Sequence, residues 1–364
     1  MQKPIELKSP IFSINTIDDK LIVACGGGDK KFGVKNKIIS FKLESGCISK
    51  QLCEEDLGSE TPIFIESIQS KKIFCFCTED KIIFYSLSKE GNNFNKIYTF
   101  NLENAKSTFN CLKINENLLA AGLDNGCLKL FKINFNNNQI NSLTEISSNE
   151  DAHWKAINKI EFGKKNNINF LITASGDGTC KIFDITKQEK IIKMISKFSF
   201  RQFLNEPANY FMRDLIYDNQ KKICYTLQSP LEGDSFLTKW DFNNLNYIIP
   251  IQSIKICNVP CPSMAITNDK NYIGVTNRQG QIFFVNTSNL DICGKKTVGQ
   301  SMLKHCKFYG DYLITGSIDY MLYMNKLSSG INFSFLKILF YITLIAGTGY
   351  YIYLKKNNLI KEDD

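Results

Sequence analysis

Apolar residues in this chain come in short runs, four to eight long, rich in Ile, Phe, Leu, Tyr and Cys and broken by Asn, Asp, Gly and Ser. Leu21-Ile22-Val23-Ala24 and Ile73-Phe74-Cys75-Phe76-Cys77 are of this kind. β-Branched and aromatic residues favour extended backbone, and the turn formers between them close hairpins. No stretch before residue 330 places its apolar residues at helical spacing, so the pattern predicts strands and turns throughout.

The runs recur in a frame. Asn117 to Phe131 and Phe170 to Asp184 each read as an apolar strand, a turn carrying Asp and Gly, and a second strand ending in an aromatic residue. The frame returns at Tyr272–Phe284 and Tyr312–Tyr323, and more loosely at Ile73–Leu87 and Ile223–Asp241. With Ser175-Gly176-Asp177-Gly178-Thr179 and the dipeptide Trp240-Asp241, these residues resemble the WD-repeat family, which implies four-stranded blades of about 40 to 45 residues in a β-propeller. His153 then stands where such repeats place a histidine that bonds the turn aspartate, here Asp177. Turns near Asp80, Asp124, Asp177, Glu232, Gln279 and Asp319, together with a first frame at residues 21–41, give seven blades within residues 1–330. The last frame has no outer strand of its own, and the segment Pro4 to Lys8 is expected to supply it, which leaves no open sheet edge. Phe198 to Tyr210 fits the frame poorly and reads as an exposed loop between blades.

The C-terminal region breaks the pattern. Residues 333–354, FSFLKILFYITLIAGTGYYIYL, are apolar all round with a single charge at Lys337. At 1.5 Å per residue that length crosses a hydrocarbon core, and Tyr350, Tyr351, Tyr353, Lys355 and Lys356 suit its interface. The expected fold class is therefore all-β, a seven-bladed propeller followed by one transmembrane helix at 333–354 and a short tail at 355–364. No signal-peptide pattern opens the chain, which places residues 1–330 in the cytosol and the tail in the lumen.

Composition narrows the chemistry. A formal charge of +8 is spread among asparagines and isoleucines without a basic stripe, so nucleic acid is not an expected partner. Thirteen cysteines are an odd number, lie mostly inside apolar runs and form no CxxC pair. With only two histidines, His153 and His305, a tetrahedral zinc site is not expected, and the thiols read as small buried hydrophobes in a reducing compartment.

One stretch stands apart. Cys25-Gly26-Gly27-Gly28-Asp29-Lys30-Lys31-Phe32-Gly33-Val34-Lys35-Asn36 is a glycine-rich excursion between two strands that should pair, Leu21–Ala24 and Lys37–Phe41. Ordering three consecutive glycines is entropically costly and usually answers a need for positive φ or close approach. Gly28 and Gly33 have the spacing of a phosphate-binding P-loop, but Val34-Lys35 follows where Lys and Ser or Thr are required. The dinucleotide pattern fails at Lys31, and a strand follows where that motif needs a helix. No nucleophile elbow, HExxH or paired-carboxylate set stands out, so the chain is not expected to be an enzyme in the covalent sense.

The order Gly26-Gly27-Gly28-Asp29, then Gly33-Val34-Lys35-Asn36, in the first blade of a propeller that ends in an apolar span, resembles the endoplasmic-reticulum exchange factors of the prolactin regulatory element-binding protein family. The resemblance implies a guanine-nucleotide exchange factor for the small GTPase that begins COPII coat assembly, in the endoplasmic-reticulum membrane with its propeller in the cytosol. It implies an exchange loop of Gly33, Val34, Lys35 and Asn36, and a structural potassium ion held mainly by backbone at Gly26, Gly27, Gly28 and Asp29. Val34 would make apolar contact with the GTPase, Asn36 would hydrogen-bond its switch backbone, and Lys30, Lys31 and Lys35 would steer it. Glu60 and Pro62 are further candidates on the same face. Cys25 stands where the family has a first glycine, and Lys35 where proline can occur. The alternative reading is a membrane-anchored scaffold that recruits trafficking proteins without exchange activity.

Overall fold

The computed structural model describes residues 3–27, 33–102, 107–137, 139–187, 191–200 and 209–327. The chain divides into two units, residues 1–327 and residues 328–364. The span expected at 333–354 and the tail at 355–364 lie outside the described residues. Among the described residues no helix is long and apolar enough to cross a membrane.

Seven antiparallel four-stranded sheets follow one another along the chain, and within each, apart from the N-terminal strand, strands pair with their neighbours in sequence. Blade one comprises Ile11–Ile17, Lys20–Cys25, Asn36–Glu44 and Cys47–Gly58, from the axis outwards. The first strands of successive blades pack side by side around the axis, and that of blade seven, Leu303–Tyr309, packs against that of blade one. Ile5 and Glu6 pair with Leu322 and Met321, so the N-terminal segment supplies the fourth strand of blade seven, as expected. The ring is thereby closed by strands from both ends of unit one, and no blade is left with three strands.

Burial explains the sequence pattern. The second strands are covered on both faces and read as continuous apolar runs, as in Lys20–Cys25 and Ile73–Cys77, whereas the outer strand Cys47–Gly58 is largely exposed or half-buried. Apolar side chains gather in seven clusters among the described residues, and each cluster joins two adjacent blades. The cores thus lie between sheets, and every blade depends on its neighbours.

Two local features carry the resemblance to WD repeats. His153 Nδ1 lies 2.9 Å from Asp177 Oδ2 and its Nε2 lies 2.7 Å from Thr173 Oγ1, in blade four. In blade five the indole of Trp240 donates to Thr226 Oγ1 at 2.7 Å. One expectation is corrected: Phe198 is not in an exposed loop. It belongs to the outer strand Lys193–Ser199 and is 2 % exposed, with Trp240 at 4.9 Å and Phe242 at 5.6 Å between ring centres. Phe200 is buried as well, and both join the cluster shared by blades four and five; residues 201–208 of that stretch lie outside the described residues.

Candidate functional site

The turns between second and third strands take three to five residues in blades two to seven, for example 78–80, 176–178 and 230–234. In blade one the same connection runs from 26 to 35, ten residues. The strands it joins are in ordinary register, Cys25 opposite Lys37 and Leu21 opposite Phe41, so the extra length is all excursion.

Its base is clasped by Asn36. Gly27 N–H donates to Asn36 Oδ1 at 3.2 Å, and Asn36 Nδ2 donates to the Gly58 carbonyl at 3.1 Å. Asn36 is 1 % exposed. It was expected to face a partner, and the structure corrects this: its amide joins the departing limb of the loop to the outer strand. The limbs lie close together. A Cβ on Gly26 would come 2.5 Å from Asn36 Oδ1, and one on Gly27 would come 2.3 Å from Val34 Cβ. Gly33 has φ +71 with open space around it, which is the left-handed backbone that favours glycine. Close approach accounts for the first two glycines and positive φ for Gly33.

Val34 is half-buried over Gly27, while Gly33 and Lys35 are exposed. The Lys35 ammonium reaches Asp56 at 3.2 Å and its carbonyl accepts from Ser9 Oγ at 3.2 Å. Gly26 N–H donates to the Pro10 carbonyl at 3.0 Å. Cys25 ends its strand with no positive φ, so a side chain fits where the family has glycine. Burial pushes its thiol pKa up to about 12, which leaves it inert. Of the further candidates, Glu60 is bound to the Lys81 ammonium, and Pro62 is buried and offers no surface. Pro62 was read as partner-facing from its place in an entry segment; that segment turns inward to begin blade two.

Gly28, Asp29, Lys30 and Lys31 lie outside the described residues. A cation at Gly26 and Gly27 would have to be held by their carbonyl oxygens, the hard donor an alkali ion takes. Among the described residues no three His, Cys, Asp or Glu side chains converge as a metal site.

The loop shares its face with the mouth of the central channel. A cavity of about 500 Å³ opens there, lined by the leading ends of first strands and by two turns of the same class as the loop. Phe12 belongs to both places, lining the cavity while its ring edge sits 3.4 Å from a Cβ built on Gly26. Sequence reading missed this cavity, because its residues come from blades far apart in the chain.

No family model matches the chain, and no curated protein matches it. Among solved structures it is similar to the crystal structure of Saccharomyces cerevisiae Sqt1, with a TM-score of 0.64, 14 % identity, and coverage of 90 % of this chain and 85 % of that one. At that identity the likeness shows the propeller fold.

Proposed function

We propose that this propeller is a non-covalent guanine-nucleotide exchange factor, acting through the 26–36 loop on the small GTPase that begins COPII coat assembly. The observation that carries the reading is the loop itself: a ten-residue connection where the other blades use three to five, fixed at its base by Asn36 and exposing Gly33 and Lys35. A clasped base with Gly33 and Lys35 exposed beside it suits a lever that must hold its shape while pressing on a partner.

An exchange factor accelerates GDP release by binding the nucleotide-free GTPase more tightly than the GDP-bound one. Val34 would offer apolar contact through its exposed half, and Lys30, Lys31 and Lys35 would raise the encounter rate with an acidic surface. Asn36 acts indirectly, holding the loop open for contact. A potassium ion on backbone oxygens from Gly26 to Asp29 is part of the proposal and would stiffen the loop. The apolar segment 333–354 would anchor the protein in the endoplasmic-reticulum membrane and confine activation to its cytosolic surface.

The test is GDP release from the COPII GTPase, followed by nucleotide fluorescence, with the full-length chain on liposomes. Acceleration that is lost in Val34→Asp and weakened in Lys35→Glu supports the reading. Binding of the GTPase without acceleration would leave the scaffold reading in its place. Alkaline carbonate extraction checks the anchor: the full chain should stay with membranes and a chain ending at residue 330 should not.

A further inference from the structure

The cavity at the channel mouth is strongly cationic. Its lining carries Arg213 from blade five, Arg278 from blade six, Lys304 from blade seven and Lys159 from blade four, against one carboxylate, Asp214. Asp214 is already committed, with Oδ1 3.3 Å from the Lys159 ammonium and Oδ2 accepting from Met264 N–H at 2.8 Å and Ser263 Oγ at 3.3 Å. That leaves three cations with no carboxylate within 4 Å among the described residues. The two guanidiniums lean on consecutive carbonyls of one turn, Arg213 on Pro230 at 3.4 Å and Arg278 on Leu231 at 3.3 Å. His305, also in the lining, accepts the Ile14 N–H on Nδ1 at 3.4 Å, and burial holds it neutral, so it adds no charge.

Gathering like charges in a concave, partly desolvated wall is unfavourable unless something compensates it. Burial and then Arg278 lower the Arg213 pKa, and burial and then Arg213 lower that of Lys304. An anion in the cavity would relieve both. Guanidinium forks match the paired oxygens of phosphate, and Lys304 supplies a point charge beside them. A volume of about 500 Å³ is that of a small-molecule pocket.

We propose that the channel mouth binds a small molecule carrying two or more phosphate groups, held by Arg213, Arg278 and Lys304. This site is independent of the exchange reading, since none of the three residues belongs to the loop.

The test is calorimetric titration of the full-length chain with inorganic tripolyphosphate at low and at physiological salt. One tripolyphosphate per chain is expected, bound more tightly than orthophosphate and weakened by salt. Arg278→Gln, at an exposed position, should weaken binding by at least about tenfold without changing the melting midpoint of the free protein, the loss expected for one charge-assisted contact. Lys304→Gln should act in the same direction. No saturable binding, equal binding by the variants, or tighter binding of a hexaglutamate peptide than of tripolyphosphate would each overturn the proposal, the last by reassigning the site to an acidic protein segment.

Discussion

His153 Nδ1 lies 2.9 Å from Oδ2 of Asp177, which ties the segment entering blade four to the turn at the middle of that blade. Thr179 Oγ1 donates to the other carboxylate oxygen at 2.7 Å and Thr173 closes the far side of the ring at 2.7 Å. Removing the imidazole in His153→Ala would leave Asp177 Oδ2 with Trp154 N–H alone, at 3.3 Å, and Thr173 Oγ1 with the Lys181 carbonyl alone, at 3.4 Å. A loss of about 1 to 3 kcal/mol is expected on that ground, read as a lower denaturant midpoint at unchanged slope. A variant as stable as the parent would mean that this bond set does not hold the blade.

Acid should weaken the propeller before its carboxylates titrate. Burial lowers the His153 pKa despite Asp177 beside it, and burial, with Lys159, Lys307 and Lys304 nearby, holds that of His305 well down. Both are therefore neutral in the folded state, whereas in the unfolded chain they take a proton at about 6.5. A folded pKa below the unfolded value gives stability that is complete above about 6.5 and lost as pH falls toward the folded pKa. The melting midpoint should accordingly drop between pH 7.5 and 5.5. Since the chain has only these two histidines, replacing His305 with Gln should reduce that drop. An unchanged pH slope in the variant would contradict the assignment.

The repeating frames were legible because each hairpin writes its own pattern locally: apolar strand, turn, apolar strand. The closing strand at Ile5–Glu6 was legible by subtraction, since blade seven ran out of chain. The bond between His153 and Asp177 was visible as a spacing. What sequence could not show was direction. Asn36 read as partner-facing because it ends the segment that carries the family resemblance, yet a register irregularity between Asn36 and Lys37 sets it opposite Gly58, and its amide turns inward. Phe198 read as loop because its packing partner, Trp240, sits in the next blade. The cations Arg213, Arg278 and Lys304 come from three blades, and only ring closure brings them to one wall.

The cysteine reading needs one exception. Nine of the thirteen thiols are buried and inert in the expected way, but Cys257 and Cys261 bring their sulfurs to 3.5 Å. The Cys261 thiol hydrogen-bonded to it, above all, lowers the Cys257 pKa, while that of Cys261 is raised. Cys257 is half-buried, so it should be the first cysteine to react with iodoacetamide at pH 7 under native conditions, as read by peptide mass spectrometry. Cys261→Ser should slow the reaction. Equal labelling of Cys47, Cys53, Cys257 and Cys293, the four half-buried cysteines, would show that exposure alone decides.

The loop's base and its tip should separate by hydrogen exchange. Gly27 N–H is bonded to Asn36 Oδ1, and the carbonyl of Gly58 depends on the same amide, so Asn36→Ala removes both contacts at once. Opening of a single net hydrogen bond of about 1.4 kcal/mol corresponds to roughly tenfold faster exchange at Gly27. Val34→Ala trims a side chain that rests on Gly27 without touching the bond, and it should leave that amide protected. If the exchange reading holds, the two variants part in a second way: Asn36→Ala loses nucleotide release together with Gly27 protection, whereas Val34→Asp loses release with protection intact. Loss of protection in the Val34 variants would instead make Val34 a part of the clasp, and the exposed lever would shrink to Gly33 and Lys35.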